Sequence, residues 1–109
     1  MKITHLDDAS AYDPTTFVAE PFLDGSQSNV RVIRLSPGQT LPMHTHSVSD
    51  LMLFVVEGTA TLATDDGPTS FTTGSLAFLR GDEELRVGND GDTGVTLLAF
   101  LAPPFPPVS

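Results

Sequence analysis

Short runs of hydrophobic residues recur along the whole chain, and clusters of Gly, Pro, Asp and Asn separate them. The runs are rich in Val, Leu, Phe and Thr, which is typical of β-strands, whereas apolar residues at helical spacing are hard to find. Many short strands at close spacing favour an all-β sandwich or barrel. We predict strands at residues 17–23, 30–36, 40–46, 51–56, 59–64, 69–72, 75–79, 84–88 and 95–101.

Three segments indicate how such a sheet is arranged. Residues 51–56 are apolar at consecutive positions, so we expect a central strand, whereas residues 59–64 alternate as a strand with one buried face does. The Pro-rich tail, residues 102–109, cannot donate ladder hydrogen bonds at its prolines and is predicted to end the sheet. We expect Phe105 in this tail to lie on the surface or against a partner subunit. No long repeat or linker divides the chain, so residues 1–109 are predicted to form one domain.

Charge and composition exclude several classes of partner and chemistry. The chain carries 14 Asp and Glu against 5 Lys and Arg, a net charge of −9, which disfavours nucleic acid and anionic membrane surfaces. It has no cysteine, which excludes disulfides, thiolate metal ligands and cysteine nucleophiles. The first residues lack the apolar core of a signal peptide, and the apolar run 51–56 is too short to span a bilayer. We therefore expect a cytoplasmic protein.

The most informative stretch contains His44 and His46. Two histidines at i and i+2 on a strand point to the same face, so their ring nitrogens can converge on one ion, at about 2.0–2.1 Å for zinc. The alternative is two ordinary half-buried histidines bonded to the backbone or to water, because short His-x-His matches are common by chance.

The spacing around this pair resembles a known family. Gly38, then His44-Thr45-His46 after five residues, then Gly58 is similar to the first cupin motif, and the segment from Gly74 to Asn89 is similar to the second. The resemblance covers residues 38–89 and implies a small single-domain cupin: an all-β double-stranded β-helix, a jelly-roll-like barrel, with residues 1–28 supplying an N-terminal strand. It also implies a homodimer.

The departures from the family pattern concern the metal. In the family, the two motif-one histidines, a motif-one Glu and a motif-two His hold the ion. Here Leu51 stands at the Glu position, or Asp50 if the spacing is one residue shorter, and Leu85 stands at the motif-two His position. The resemblance therefore implies a reduced or absent metal site: His44 and His46, with Asp50 as a third ligand only if the preceding loop turns its carboxylate inward. Otherwise Asp50 is a solvated turn residue.

Three functions follow from these departures. The first is a binding module that holds a small molecule in the barrel, and we favour it because two of the four metal ligands are missing. One divalent ion (Zn, Ni, Mn or Fe) would then be weakly held or absent, and no organic cofactor is indicated. The second is a metal-dependent enzyme of the dioxygenase or isomerase type that uses His44 and His46 as ligands. The third is a metal-free enzyme in which one histidine is a general acid or base. The pocket is expected to be lined by Met43, Leu51, Leu53, Phe78 and Leu85.

Overall fold

A computed structural model describes residues 1–64 and 67–106 of the chain. A short 3₁₀ helix at Leu6–Asp8 precedes the first strand. The strands are β1 (Val18–Asp24), β2 (Asn29–Leu35), β3 (Asp50–Glu57), β4 (Thr59–Thr64), β5 (Gly67–Thr72), β6 (Leu76–Leu79), β7 (Val87–Gly88) and β8 (Val95–Ala102).

The strands form two antiparallel sheets. One has five strands in the order β1-β2-β8-β3-β6, and the other has three in the order β5-β4-β7. Buried residues alternate along β3, at Leu51, Leu53 and Val55, so one face of that strand points between the sheets. A single hydrophobic cluster includes residues from both sheets. The prediction of an all-β fold, with residues 51–56 in a central strand, is confirmed, since β3 lies between β8 and β6.

The opposite face of the five-stranded sheet is also apolar. Met52 of β3 is paired with Phe78 of β6 on one side and with Phe100 of β8 on the other. These three side chains and that of Leu76 are exposed to solvent. We call these four residues the outer apolar face.

The prediction of a strand at residues 40–46 is wrong. That segment makes only two isolated bridges, Thr40 with Gly88 and His44 with Leu85. Pro42 has no N–H to donate, which interrupts the ladder in the middle of the segment. The segment that faces it, predicted as a strand at residues 84–88, is shortened for the same reason. Only β7 remains as a regular strand there.

Within the described residues, no helix is long and apolar enough to cross a membrane.

Candidate functional site

A cavity of about 310 Å³ lies between the five-stranded sheet and the segment that carries the histidines. Most of its wall is aliphatic or aromatic, and the polar side chains in the wall are one arginine and two histidines. The lining residues are Phe17, Ala19, Arg31, Ile33, Leu41, Pro42, His44, His46, Leu51, Leu85, Ala99, Leu101, Phe105 and Pro106.

His44 lies at the exposed edge of this cavity. Its Nδ1 is 2.7 Å from the carbonyl oxygen of Pro42. A carbonyl oxygen only accepts hydrogen bonds, so Nδ1 carries the proton in the neutral ring. The second ring nitrogen, Nε2, is then an unprotonated acceptor. The backbone of His44 is held by the N–H of Leu85, which donates to its carbonyl oxygen at 2.9 Å.

His46 is buried, with 4% of its surface exposed. Its Nδ1 is fully buried and has no hydrogen-bond partner in the described part of the chain. The ring centroid is 4.5 Å from that of His44 and 5.1 Å from that of Phe105, whose ring meets it edge-on. Burial, with a further contribution from His44, lowers the pKa of His46 from 6.5 to about 4. His46 is therefore a neutral imidazole at pH 7, with one ring nitrogen buried and unpaired within the described residues.

The two histidine rings converge on the same cavity, with centroids 4.5 Å apart, although the segment that carries them is not a regular strand. One ring is exposed and the other is buried. The chain after His46 crosses closely over Gly81, whose carbonyl oxygen accepts the His46 N–H at 2.7 Å. A Cβ on Gly81 would collide with the Ser47 carbonyl oxygen. Glycine at this position therefore fixes the turn that directs His46 inward.

The donor set does not fit the family's four-ligand metal site. Asp50, the first residue of β3, is exposed and is absent from the cavity wall, while the next residue, Leu51, points inward. Leu51 and Leu85 both line the cavity with the two histidines. The described residues contain no group of three His, Cys, Asp or Glu side chains able to hold an ion. Two imidazole nitrogens remain, whereas catalytic zinc sites use three protein ligands.

Three other predicted lining residues lie outside this cavity. Leu53 is buried one layer deeper, beside a gap of about 10 Å³ between the sheets. Met43 is exposed, and its sulfur lies 2.9 Å from Nε of Arg86. Phe78 is exposed beside a separate cleft of about 550 Å³, because its neighbours along β6 alternate to the other face.

Reasoning from the sequence missed ten of the fourteen lining residues, and two of these, Arg31 and Phe105, contribute directly to the chemistry of the cavity. Arg31 lies on the same row of β2 as the buried Asn29, Ile33 and Leu35, so its side chain points to the interior face. The sequence of β2 does not identify this row as the inward one, because the opposite row is also mostly apolar. Phe105 was expected at the surface or against a partner, but it is half-buried against the hydrophobic core of its own chain.

The amide of Asn29 and the hydroxyl of Ser49 hold the tail beside the cavity, and Oγ of Ser49 donates to the Pro103 carbonyl oxygen at 2.7 Å. Nδ2 of Asn29 donates to the Phe105 carbonyl oxygen at 2.8 Å, and its Oδ1 accepts the Phe105 N–H at 3.1 Å. The two bonds fix the backbone of the tail where the Phe105 ring meets His46. No local pattern in the sequence predicts this pairing, because the two residues are 76 positions apart.

Comparison with known proteins agrees with the all-β fold. The family model of the cupin domain matches residues 31–101. No curated protein matches the chain. Among solved structures, a protein of Thermus thermophilus is 24% identical, with a TM-score of 0.85 over 95% of this chain and 99% of that one. An RmlC-like cupin protein of Desulfovibrio desulfuricans is 25% identical, with a TM-score of 0.83 over 96% and 99%.

A protein with a double-stranded β-helix domain from Klebsiella pneumoniae is 20% identical, with a TM-score of 0.85 over 94% of this chain and 90% of that one. The predicted double-stranded β-helix is therefore confirmed as the fold.

Proposed function

The chain belongs to the cupin domain family, and on that premise we propose that it is a binding module whose barrel holds a small molecule with a largely apolar body. The cavity of about 310 Å³ supports this proposal. Ligand pockets span roughly 300–1,000 Å³ and combine apolar walls with a few polar groups. A volume of this size corresponds to about ten water molecules, at about 30 Å³ for each.

The observation that carries the proposal is the position of Leu51 and Leu85. Both stand where the family places metal ligands, and both are buried with their side chains in the cavity wall. Two leucines in these places replace oxygen and nitrogen donors with hydrocarbon. An apolar wall favours the transfer of an apolar ligand from water, by about 25 cal/mol for each Å² buried.

His44 gives the ligand a polar contact at the edge of the cavity. Its Nε2 is an acceptor, so a donor group of the ligand can pair with it. The buried ring of His46 lies beside it, with the ring centroids 4.5 Å apart. His44 thereby orients a ligand whose body contacts the leucines.

Filling the cavity tests this proposal. Ala99 is buried in the wall on β8, and Ala99→Leu adds volume inside the cavity, whereas Ala102→Leu adds the same volume at an exposed position on the same strand. The probes are benzoate, hexanoate and naphthoate together with their neutral amides, observed by saturation-transfer NMR. We expect binding of at least one probe to the wild type and to Ala102→Leu, and its loss in Ala99→Leu. Absence of binding by all six probes, or equal binding to both variants, would refute the proposal.

The metal-dependent enzyme is the second candidate, and the proximity of the two rings favours it. The centroids lie 4.5 Å apart, and Nε2 of His44 is unprotonated in the neutral ring. Metal analysis of the purified protein, before and after incubation with Zn²⁺, Ni²⁺, Mn²⁺ and Fe²⁺, separates the candidates. Near-stoichiometric metal that is lost in the double variant His44→Ala/His46→Ala would favour this second candidate over the binding module.

A further inference from the structure

Arg31 is the cationic side chain in the wall of the cavity. It belongs to the inward-facing row of β2, next to Ile33 and opposite the buried Ala99 of β8. A half-buried arginine on the core face of a strand is unusual, because charged side chains are rarely placed inside unless they are paired. A guanidinium among hydrocarbon neighbours is therefore expected to pair with an anionic group.

Within the described residues, the guanidinium of Arg31 has few hydrogen-bond acceptors. One guanidinium nitrogen of Arg31 donates to the carbonyl oxygen of Ala19 at 3.2 Å. A guanidinium has five N–H donors. Each ion pair of the described chain that includes an arginine involves Arg80 or Arg86, both on the surface, and none involves Arg31. The positive charge in the cavity wall is thus without a carboxylate from the protein in these parts of the chain.

We propose that the ligand of this cavity is a small monocarboxylate, with its carboxylate held by Arg31 and its apolar body against Leu51 and Leu85. This inference rests on the proposed binding function and specifies its ligand class. The planar guanidinium fork matches a carboxylate through two parallel N–H···O bonds. The remaining wall offers hydrocarbon contact for the body of the acid.

The net charge of the protein favours a monoanion over a phosphate ester. The chain carries a net charge of −9, which repels anions in proportion to their charge. A phosphate monoester carries about −1.5 to −2 at pH 7. Desolvating that charge in an apolar cavity with one arginine leaves it incompletely neutralised, whereas a single carboxylate is matched by one guanidinium.

Matched acids and amides test the carboxylate directly. Isothermal titration calorimetry compares benzoate with benzamide, and hexanoate with hexanamide, on the wild type, Arg31→Met and Arg80→Met. Methionine keeps an unbranched apolar stem without the charge, and Arg80→Met removes an exposed arginine elsewhere. Since hydrogen bonds to a charged group contribute about 1.5–3 kcal/mol, we expect the wild type and Arg80→Met to prefer the acid by about tenfold to a hundredfold. Arg31→Met should bind acid and amide equally, with amide affinity unchanged.

The other outcomes each overturn a distinct statement. Equal affinity of the wild type for acid and amide overturns the carboxylate and leaves the binding module intact. A preference that survives in Arg31→Met overturns the role of Arg31. Benzylphosphonate binding more tightly than benzoate overturns the monocarboxylate class. Binding of no probe overturns the binding module and this inference with it. If Arg31→Met fails to fold, as judged by circular dichroism, Arg31→Lys provides the test, because lysine keeps the charge and lacks the planar guanidinium. An undiminished preference of Arg31→Lys for the acid over the amide would contradict bidentate recognition.

Discussion

Acidification should destabilise this protein through the buried ring of His46. Burial and the neighbouring His44 lower the pKa of His46 from 6.5 to about 4 in the folded protein. Between these two values the unfolded chain binds a proton that the folded chain does not, so falling pH favours unfolding. The stability that depends on neutral His46 is complete above about pH 6.5 and is lost as the pH falls toward about 4.

The magnitude follows from the size of the difference in pKa. If the whole difference between the pKa of His46 in the unfolded and in the folded chain applies, the free energy of unfolding is about 2 kcal/mol lower at about pH 5 than at about pH 7.5. Solvent that enters the cavity screens the ring and reduces the expected loss to about 1–2 kcal/mol. This loss is large enough to measure against a total stability of roughly 5–15 kcal/mol.

The assay is urea unfolding followed by far-ultraviolet circular dichroism, at about pH 7.5 and about pH 5, for the wild type and His46→Gln. Glutamine does not titrate, so the variant should lose about 1–2 kcal/mol less than the wild type over this range. Effects of the carboxylates are common to both proteins and cancel in the difference. His5→Gln changes an exposed histidine near the N-terminus and should behave as the wild type does. Parallel losses in the wild type and His46→Gln would refute the reasoning.

Three further predictions concern the tail, the missing ligands and the outer apolar face. Asn29→Ala removes both hydrogen bonds between Asn29 and Phe105 and should cost about 1–3 kcal/mol in urea unfolding, with faster hydrogen exchange of the Phe105 N–H. Unchanged exchange of that amide would contradict this role. The double variant Leu51→Glu/Leu85→His places two donors beside the histidine pair and should bind Zn²⁺ or Ni²⁺ about a hundredfold more tightly than the wild type by calorimetry, if each added ligand contributes about 1.4 kcal/mol. Equal affinities would mean that these positions do not reach the pair. We expect a homodimer that buries the outer apolar face, so Phe100→Glu should yield monomers by light scattering. The control Thr69→Glu changes an exposed residue on the other sheet and should leave the dimer intact. A monomeric wild type would contradict the homodimer.

Strand-forming runs and turn residues predict an all-β chain, and the resemblance to the two cupin motifs adds the double-stranded β-helix. Residues 59–64 were predicted as a strand with the bounds that β4 has, and the predicted strand at 95–101 differs from β8 by one residue. The error at residues 40–46 has a local cause, since Pro42 cannot donate to a ladder. That cause was readable from the sequence, but the compensating hydrogen bond from His46 to Gly81 joins segments that only the folded chain brings together.

The candidate site was less predictable because its parts come from separate strands. The family spacing located His44 and His46 and identified Leu51 and Leu85 as their neighbours, which are the residues that the cavity wall brings together. The same spacing contains no information on β2, which lies outside the motifs and contributes Arg31. The family motifs describe the residues that bind the metal. A charged residue that selects a small molecule can instead lie on any strand that faces the same cavity. In this barrel, leucines at two metal-ligand positions and one inward-facing arginine lead to the same expectation. The carboxylate of the bound molecule is expected at Arg31, and its apolar part against Leu51 and Leu85.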